Sequence, residues 1–282
     1  MPLKFTKLHG LGNDYVYVSL FDQRVADPGA LARAVSDRHR GIGSDGLIIV
    51  APPDVPDAHV RMIMYNVDGT RGEMCGNGIR CVAKLAYDHG LARHNPLRVQ
   101  TDRGVLTLEL RLDAVGRVAE VRVDMGPPIL EPRQIPIALA GPRVVGYPLP
   151  LAGQTLSLTA VSTGNPHAVL LVPDVARVPL SDWGPQVECH ALFPQRTNVH
   201  FAQVLSPQRL RMITWERGSG ATQACGTGAS AVCVAGVLNA LTERAVTVEL
   251  PGGELQIEWD AATDHVFMTG PATEVFTGEW PE

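Results

Sequence analysis

An internal repeat is the feature that most limits what this chain can fold into. Residues 61–78 align without a gap on residues 211–228, so the Cys-Gly-x-Gly motif at 75–78 falls on the one at 225–228. A Gly-Asn pair also recurs, at 12–13 and at 164–165. The repeat predicts two copies of one structural unit.

Each repeated cysteine is predicted to lie at the N-terminus of a helix. After each cysteine, small and apolar residues recur with the i, i+3, i+4, i+7 spacing of one helical face. These residues are Ile79, Val82, Ala83 and Ala86, and then Ala229, Val232, Cys233 and Gly236. Unpaired N–H groups at a helix N-terminus lower the pKa of a thiol and attract a carboxylate. The pattern therefore predicts thiol chemistry for Cys75 and Cys225. For Cys81, Cys189 and Cys233 we expect simple burial, which is common for cysteine.

Outside the repeated motifs, the pattern is that of many short strands and a few helices. Besides the two cysteine helices, it predicts a helix from Pro28 to about Arg38 and another near Trp183–Leu192. A strand is predicted at 118–124, and the next one only at 154–161. The second cysteine helix is apolar on nearly all sides, which predicts that its own domain encloses it.

Two Gly-Pro breaks, one near residue 126 and one near residue 270, suggest where the chain passes between domains. We expect an N-terminal domain at 1–124, to which 271–282 return, and a C-terminal domain at 125–270. The predicted fold class is α+β, with two pseudo-symmetric domains that each wrap a curved mixed β-sheet or barrel around a central α-helix. An active site is expected in the cleft between them.

Composition excludes several classes of protein. The 282 residues carry 24 basic and 29 acidic side chains, and no basic run indicates a nucleic-acid partner. No apolar stretch reaches the roughly 18 residues of a membrane-spanning helix, and the N-terminal residues lack the apolar region of a signal peptide. Five widely spaced cysteines make a poor disulfide framework. We therefore expect a cytoplasmic protein with neither a nucleic-acid nor a membrane partner.

The sequence also indicates chemistry without a cofactor. Pyridoxal phosphate requires a lysine for its Schiff base, and the chain has only Lys4, Lys7 and Lys84. The first two fall on the first predicted strand and the third falls within a helix, so none is expected to lie in a pocket. Neither C-x-x-C nor H-x-x-x-H spacing occurs, and we expect no metal site.

Several longer motifs make the chain resemble the diaminopimelate epimerase family, and together they run nearly from end to end. They are Phe5-Thr6-Lys7-Leu8-His9-Gly10-Leu11-Gly12-Asn13-Asp14, Asp37-Arg38-His39-Arg40-Gly41-Ile42-Gly43, Asn66-Val67-Asp68-Gly69, Met74-Cys75-Gly76-Asn77-Gly78, Gly164-Asn165-Pro166-His167, Glu216-Arg217-Gly218, Ala224-Cys225-Gly226-Thr227-Gly228 and Leu250-Pro251-Gly252-Gly253. The resemblance implies cofactor-independent epimerisation of LL-2,6-diaminopimelate to the meso form, a step of lysine and peptidoglycan biosynthesis. It also implies a homodimer.

The resemblance further implies a role for each matching residue. Cys75 and Cys225 are the two bases, one removing the α-proton and the other returning a proton to the opposite face. His167 and Glu216 help to set the protonation of the thiols. The substrate carboxylate is expected at the N–H groups around Gly76, Asn77, Gly226 and Thr227. The distal end of the substrate is expected to meet four amides and an arginine: Asn13, Asn66, Asn165, Asn198 and Arg217. Glu216 is also expected to contact the substrate.

The chain departs from the common family pattern at two positions. Gly46 stands where many members have glutamine, and Ala221 where many have glutamate. Two alternatives therefore stay open. One is a racemase or epimerase of another amino acid, such as proline, hydroxyproline or histidine, and the other is a non-catalytic amino-acid-binding protein. Retention of both cysteines and of the amide set favours the diaminopimelate enzyme over either alternative.

Overall fold

The structure, a computed structural model, describes residues 2–72, 75–102 and 104–281. The chain divides into two compact units, one formed by Met1–Val123 with Gly270–Glu282 and the other by Asp124–Thr269. Each boundary differs by one residue from the expected domain bounds. Met1, Met74 and Glu282, which our sequence-based assignments include, lie outside the described residues.

The helices are few and the strands are short. The helices are α1 (Pro28–Ser36), α2 (Gly76–Asp88), α3 (Leu180–Glu188) and α4 (Gly226–Leu238), with a 3-10 turn at Val175–Arg177. The strands up to residue 124 are β1 (Leu3–Gly10), β2 (Asn13–Ser19), β3 (Gly46–Ala51), β4 (Val60–Asn66), β5 (Arg71–Gly72), β6 (Leu97–Thr101), β7 (Gly104–Leu112) and β8 (Val118–Asp124). The later strands are β9 (Tyr147–Leu151), β10 (Gln154–Ser162), β11 (Pro166–Leu171), β12 (Asn198–Ser206), β13 (Arg209–Glu216), β14 (Gly220–Thr222), β15 (Ala245–Leu250), β16 (Gly253–Trp259), β17 (Val266–Pro271) and β18 (Thr273–Trp280).

The first unit is built on one mixed sheet. Its hydrogen-bonded neighbours run in the order β18, β1, β2, β3, β4, β6, β7, β8, and β5 pairs with the end of β4. The pairs β2–β3 and β4–β6 are parallel, and the other pairs are antiparallel. Parallel neighbours need a crossover connection, and helices α1 and α2 lie in these two crossovers.

The second unit has the same spatial order of strands, although its edge strand β9 directly precedes β10 in the chain, whereas β18 reaches β1 from the C-terminal end. Its order is β9, β10, β11, β12, β13, β15, β16, β17, with β14 paired to the end of β13. The parallel pairs are β11–β12 and β13–β15, and helices α3 and α4 lie in their crossovers. The repeat read from the sequence is therefore a repeat of sheet topology.

Each cysteine helix is enclosed by strands of its own unit. Every residue of α4 from Gly226 to Gly236 is buried, and the helix packs against β10 to β13, β15 and β16. Helix α2 packs in the same way against β1 to β4, β7 and β18. Enclosure on all sides explains why the α4 sequence lacks a polar face. The predicted α+β class, with a curved mixed sheet around a central helix, is confirmed.

One strand was missed, and two predicted helix ends were wrong. Strand β9 was missed because it reads Tyr-Pro-Leu-Pro-Leu and proline cannot donate to a ladder. Among the described residues β9 pairs only with β10, as expected for an edge strand. Helix α1 ends at Ser36 rather than Arg38 because the side chain of Asp37 accepts the N–H groups of His39 and Arg40, which turns the chain out of the helix. Helix α3 ends at Glu188 rather than Leu192.

None of the helices in the described residues combines the length and the apolar character needed to cross a membrane.

Candidate active site

Cys75 is the N-cap of α2. Its backbone is extended, with φ −122° and ψ 117°, and its Sγ accepts a hydrogen bond from the N–H of Gly78 at 3.3 Å. The sulfur thus takes the place that a serine or aspartate oxygen usually holds at a helix start. Gly78 leaves room for Ile48, since a Cβ there would lie 2.6 Å from Cδ1 of Ile48. The half-buried thiol therefore lies at the positive end of the helix.

The side chain of Asn13 presents its amide oxygen to this thiol. Sγ of Cys75 donates to Oδ1 of Asn13 at 3.3 Å, and Nδ2 of Asn77 donates to the same oxygen at 3.4 Å. At the other end of the amide, Nδ2 of Asn13 donates to Oδ2 of Asp45 at 2.8 Å. An ionised carboxylate only accepts hydrogen bonds. Asp45 therefore determines which end of the Asn13 amide faces the thiol.

A network of charges supports Asp45. Nη2 of Arg38 donates to Asp14 at 2.8 Å and to Asp45 at 2.9 Å. Lys7, nearly fully buried, forms an ion pair with Asp14 and donates to the carbonyl of Gly43. Burial favours protonation of Asp14, but the bonds and charges of Arg38 and Lys7 hold its pKa below the ordinary value. Burial and the neighbouring Asp14 charge raise the pKa of Asp45.

The expectation that no lysine lies in a pocket was wrong for Lys4. It lines an open cleft of the first unit together with Tyr17, Leu85 and Gly278. The strand alternation places Lys4 and Lys7 on opposite faces of β1, so one lysine reaches the cleft and the other the buried charge network.

Arg80 is fully buried below the first turn of α2. Its Nη1 donates to the carbonyl of Gly76 at 3.0 Å, and its Nη2 donates to Oδ1 of Asn77 at 3.1 Å. Its Nε donates to the carbonyl of Pro271 at 3.2 Å, in the segment that returns to this unit. The contact with Oδ1 turns Nδ2 of Asn77 toward Asn13. One buried cation therefore orients the first turn of the helix.

Asn66 and Gly46 lie opposite each other on β4 and β3. Nδ2 of Asn66 donates to Oγ1 of Thr70 at 3.0 Å, within the turn that follows β4. Gly46 has φ +154°, and a Cβ on it would lie 2.3 Å from the carbonyl oxygen of Tyr65 and 2.9 Å from Cε1 of Tyr15. The backbone here has no space for the larger residue that many family members carry.

The second cysteine has a similar backbone geometry, but its side chain does not cap the helix as that of Cys75 does. Cys225 is the N-cap of α4, with φ −130° and ψ 104°, and it is buried. Its Sγ lies 3.5 Å from Oγ1 of Thr227. The carbonyl of Thr227 accepts a hydrogen bond from Oγ1 of Thr163 at 3.3 Å. The first turn of α4 is therefore tied to the loop between β10 and β11.

His167 belongs to a fully buried pair of histidines. Its Nε2 lies 2.9 Å from Oδ1 of Asn165 and 3.2 Å from Oγ1 of Thr163. Its Nδ1 lies 2.8 Å from Nε2 of His200. Burial, followed by the neighbouring His200 and Arg217, holds the pKa of His167 well below its usual value. Burial also lowers the pKa of His200 to about 3. Both rings are therefore neutral at physiological pH.

The remaining predicted residues of the second unit lie around the end of β13. Asn198 is buried, and its Oδ1 accepts the backbone N–H of Arg217 at 3.0 Å, while its Nδ2 donates to the carbonyl of Pro166 at 3.0 Å. Oε1 of Glu216 accepts a hydrogen bond from Thr222 at 2.6 Å. The side chain of Arg217 is exposed. Asn198 therefore holds the backbone that carries Arg217.

Ala221 is the second position at which the chain departs from the family pattern, and it lies at the surface. It is exposed and pairs with Trp215 across β13 and β14. The neighbouring Thr222, rather than residue 221, supplies the hydrogen bond to Glu216.

Within each unit the structure brings together part of the predicted set. Asn13, Asn77 and Cys75 form one cluster, and Asn165, His167, Thr227 and Cys225 are connected through Thr163 in the other. Sequence reasoning missed four supporting residues: Asp45, Arg80, Thr163 and His200. The sequence did contain a signal for His200. The offset that aligns Asn13 with Asn165 also aligns Ile48 with His200, so a histidine stands where the first repeat has an apolar residue.

The other cysteines differ from the repeated pair. Burial raises the pKa of Cys81 to about 11 and that of Cys233 to about 12, so both stay protonated thiols near neutral pH. The expected burial of Cys189 was wrong. It is exposed, because it is the C-cap of α3 at the surface.

Comparison with known proteins gives the same family along nearly the whole chain. The family model described as diaminopimelate epimerase matches residues 5–131 and 159–275. A relative from Desulfovibrio desulfuricans named diaminopimelate epimerase is 50% identical over 286 residues, and the match covers 99% of each chain. A relative of the same name from Moorella thermoacetica is 52% identical over 280 residues, again with 99% of each chain covered.

Solved structures share the fold at much lower identity. A phenazine biosynthesis protein of the PhzF family from Bacillus anthracis has a TM-score of 0.72 at 13% identity, over all of both chains. A hydroxyproline epimerase from Agrobacterium vitis, with bound trans-4-hydroxy-L-proline, has a TM-score of 0.71 at 14% identity. The match covers 98% of this chain and 90% of the epimerase chain. These likenesses show the fold, while the full-length matches near 50% identity show the family. This chain belongs to the diaminopimelate epimerase family.

Proposed function

We propose that this protein epimerises LL-2,6-diaminopimelate to meso-diaminopimelate without a cofactor, and that Cys75 and Cys225 are its two acid–base groups. The observation that carries the proposal is that both cysteines are N-caps of enclosed helices with matching backbone geometry. Such a position favours thiolate character and offers N–H groups to a carboxylate. Family membership supplies the substrate class.

In the proposed reaction one cysteine reacts as a thiolate and the other as a thiol. The thiolate takes the α-proton, and the electron pair of the broken C–H bond spreads onto the adjacent carboxylate. The thiol of the other cysteine then donates its proton to the opposite face of the α-carbon, so the configuration inverts and the two sulfurs exchange protonation states. The reverse reaction starts from the exchanged state, and no other acid or base is consumed.

Charge on the substrate carboxylate is the difficult part of this reaction. We assign its stabilisation to the backbone N–H groups near Gly76, Asn77, Gly226 and Thr227, which lie in the first turns of the two helices. His167 and Glu216 are proposed to act on the protonation of the thiols. For His167 this action would pass through Thr163 and Thr227 to Cys225.

Recognition of the distal amino acid is assigned to Asn13, Asn66, Asn165, Asn198 and Arg217, and Glu216 is proposed as a further substrate contact. The guanidinium of Arg217 is exposed and suits the distal carboxylate, because its fork of donors matches a carboxylate. Asn198 contributes by holding the Arg217 backbone. The proposal also includes a cytoplasmic homodimer, and light scattering of the purified protein tests its dimeric state directly.

Exchange of the α-hydrogen tests the proposed function. We expect deuterium from heavy water to enter the α-carbon of LL-diaminopimelate as the meso form appears, measured by mass spectrometry and chiral chromatography. Proline, hydroxyproline and histidine, incubated in parallel, should stay unlabelled. Labelling of one of these instead would assign the protein to another amino acid, and binding without any exchange would identify a non-catalytic protein.

A further inference from the structure

One buried position has a different chemical character in the two repeats. His200 on β12 and Ile48 on β3 both lie against the second glycine of the Cys-Gly-x-Gly motif. A Cβ on Gly228 would lie 2.2 Å from Cε1 of His200, and a Cβ on Gly78 would lie 2.6 Å from Cδ1 of Ile48. The first unit therefore fills this position with an apolar side chain, and the second fills it with an imidazole.

The cross-strand neighbours differ in the same way. Ile48 pairs with Met64, whereas His200 pairs with Thr214. Both histidine rings are fully buried, and burial of an imidazole is costly unless both of its nitrogens form hydrogen bonds. The fold itself accepts apolar residues here, as the first unit demonstrates. His200 and Thr214 are therefore not required for packing alone.

The hydrogen bonds of this pair have one consistent direction. Thr163 has a single hydroxyl proton, which it donates to the carbonyl of Thr227, so toward His167 it can only accept. The amide oxygen of Asn165 also accepts, at 2.9 Å. Nε2 of His167 therefore carries the proton. In the neutral ring Nδ1 must then accept, and the donor that lies 2.8 Å away is Nε2 of His200.

The chain of bonds ends at a threonine. Because Nε2 of His200 donates to His167, Nδ1 of His200 must accept from the hydroxyl of Thr214, 3.0 Å away. Every nitrogen of both rings has a partner of the correct polarity. If His200 did not donate, Nδ1 of His167 would lose its partner, and only the two acceptors at Nε2, Asn165 and Thr163, would still favour the Nε2–H tautomer.

We propose that His200 is a positioning residue, which holds His167 in the Nε2–H tautomer and thereby keeps Thr163, Asn165 and the first turn of α4 in place around Cys225. The catalytic consequence rests on the proposed function, but the tautomer itself does not. A histidine pair that was merely structural would affect stability without coupling the tautomer of His167 to turnover.

Two substitutions of similar size distinguish these cases. In His200→Gln the side-chain amide can donate to His167 and accept from Thr214, whereas in His200→Met it can do neither. Nitrogen-15 NMR of histidine-labelled protein reports which ring nitrogen of His167 carries the proton. We expect the Nε2–H form in the wild type and in His200→Gln, and a mixture of tautomers in His200→Met.

Turnover should follow the tautomer. His200→Met is expected to lower kcat by about 10–100-fold, by analogy with the loss seen when a metal-bound histidine is deprived of its hydrogen-bond partner. His200→Gln should restore most of that loss, with KM changed little in either variant. Equal kcat values and a single His167 tautomer in both variants would overturn the proposal.

Two further outcomes are informative. If His200→Met fails to fold, Thr214→Val replaces it, because that substitution removes the donor to Nδ1 of His200 and should also broaden the tautomer distribution. An unchanged tautomer in Thr214→Val would then count against the proposal. If the wild type does not act on diaminopimelate, the proposed function fails while the NMR result still decides the role of His200.

Discussion

Sγ of Cys75 and Oδ1 of Asn13 lie 3.3 Å apart, and a carboxylate on the far side of the amide holds them in that relationship. The oxygen of Asn13 can face the thiol only while its nitrogen donates to Asp45. The thiol of Cys75 is thus oriented through Asn13, whose amide the Asp45 carboxylate holds.

Replacement of Asp45 by asparagine tests this arrangement. The new amide could donate as well as accept, so either orientation of the Asn13 amide would become possible. We expect kcat/KM for diaminopimelate to fall about tenfold, which corresponds to the roughly 1–1.5 kcal/mol of one hydrogen bond. Asp54→Asn is the matched control, since Asp54 pairs with Arg61 on the surface of the same unit. Similar rates for Asp45→Asn and Asp54→Asn would show that Asp45 does not orient Asn13.

The two thiols should be individually indispensable. Because each supplies one half of the proton transfer, Cys75→Ala or Cys225→Ala should lower kcat at least about 10²–10⁴-fold. The far-UV circular dichroism spectrum should stay that of the wild type. Serine at either position should be nearly as inactive, since a hydroxyl is a much weaker acid than a thiol. The exposed Cys189 is the control, and Cys189→Ala should retain full turnover. Near-normal activity of either alanine variant would disprove the two-base mechanism.

Arg217 should contribute to affinity through the shape of its side chain. Arg217→Lys keeps the charge but loses the planar fork. We expect binding of diaminopimelate to weaken by about 1–3 kcal/mol, the range for a hydrogen bond to a charged group, measured by titration calorimetry. Arg177→Lys is a suitable control, since the side chain of Arg177 is 88% exposed. Unchanged affinity in Arg217→Lys would mean that Arg217 does not bind the distal carboxylate.

The buried histidines should make the fold sensitive to acid. The pKa of His200 is about 3 in the folded protein and about 6.5 in an unfolded chain. Between these values the unfolded chain binds a proton that the folded protein does not, so this contribution to stability is present above pH 6.5 and is lost as the pH falls toward 3. The pKa of His167 is shifted in the same direction.

Urea unfolding at pH 7 and pH 5 measures this dependence. Because His200 stays neutral in the folded protein, the free energy of unfolding should fall by about 2 kcal/mol from pH 7 to pH 5 on its account, and His167 should add to this fall. His200→Gln should therefore lose about 2 kcal/mol less than the wild type. His39→Gln, which changes an exposed histidine, should behave like the wild type. An identical pH dependence in His200→Gln and the wild type would contradict a neutral buried His200.

Local pattern was sufficient to predict much of this molecule. The helical spacing of apolar residues predicted α2 and α4, because an enclosed helix needs apolar residues on its faces. It also placed a cysteine at the start of each helix. The mixture of short strands and few helices predicted the α+β class. The repeat predicted two units of one topology. Strand β9 and the C-terminal ends of α1 and α3 could not be placed, since prolines obscure an edge strand and a side-chain turn at Asp37 ends α1 early.

The amino-acid sequence by itself determined which residues we propose to carry the chemistry, whereas the tertiary structure decided how they are held. Asn13 and Asp45 are 32 residues apart, and His167 and His200 are 33 residues apart. Each pair meets only because a parallel strand pair with a helical crossover sets its register. A sequence pattern indicates whether a side chain points into the core. The hydrogen-bond partner of a buried polar side chain, however, depends on the register in which the two strands pair. For this reason Cys75 and Cys225 could be proposed from the sequence, whereas the hydrogen-bond partners on which the proposed roles of Asp45 and His200 rest are seen only in the folded chain.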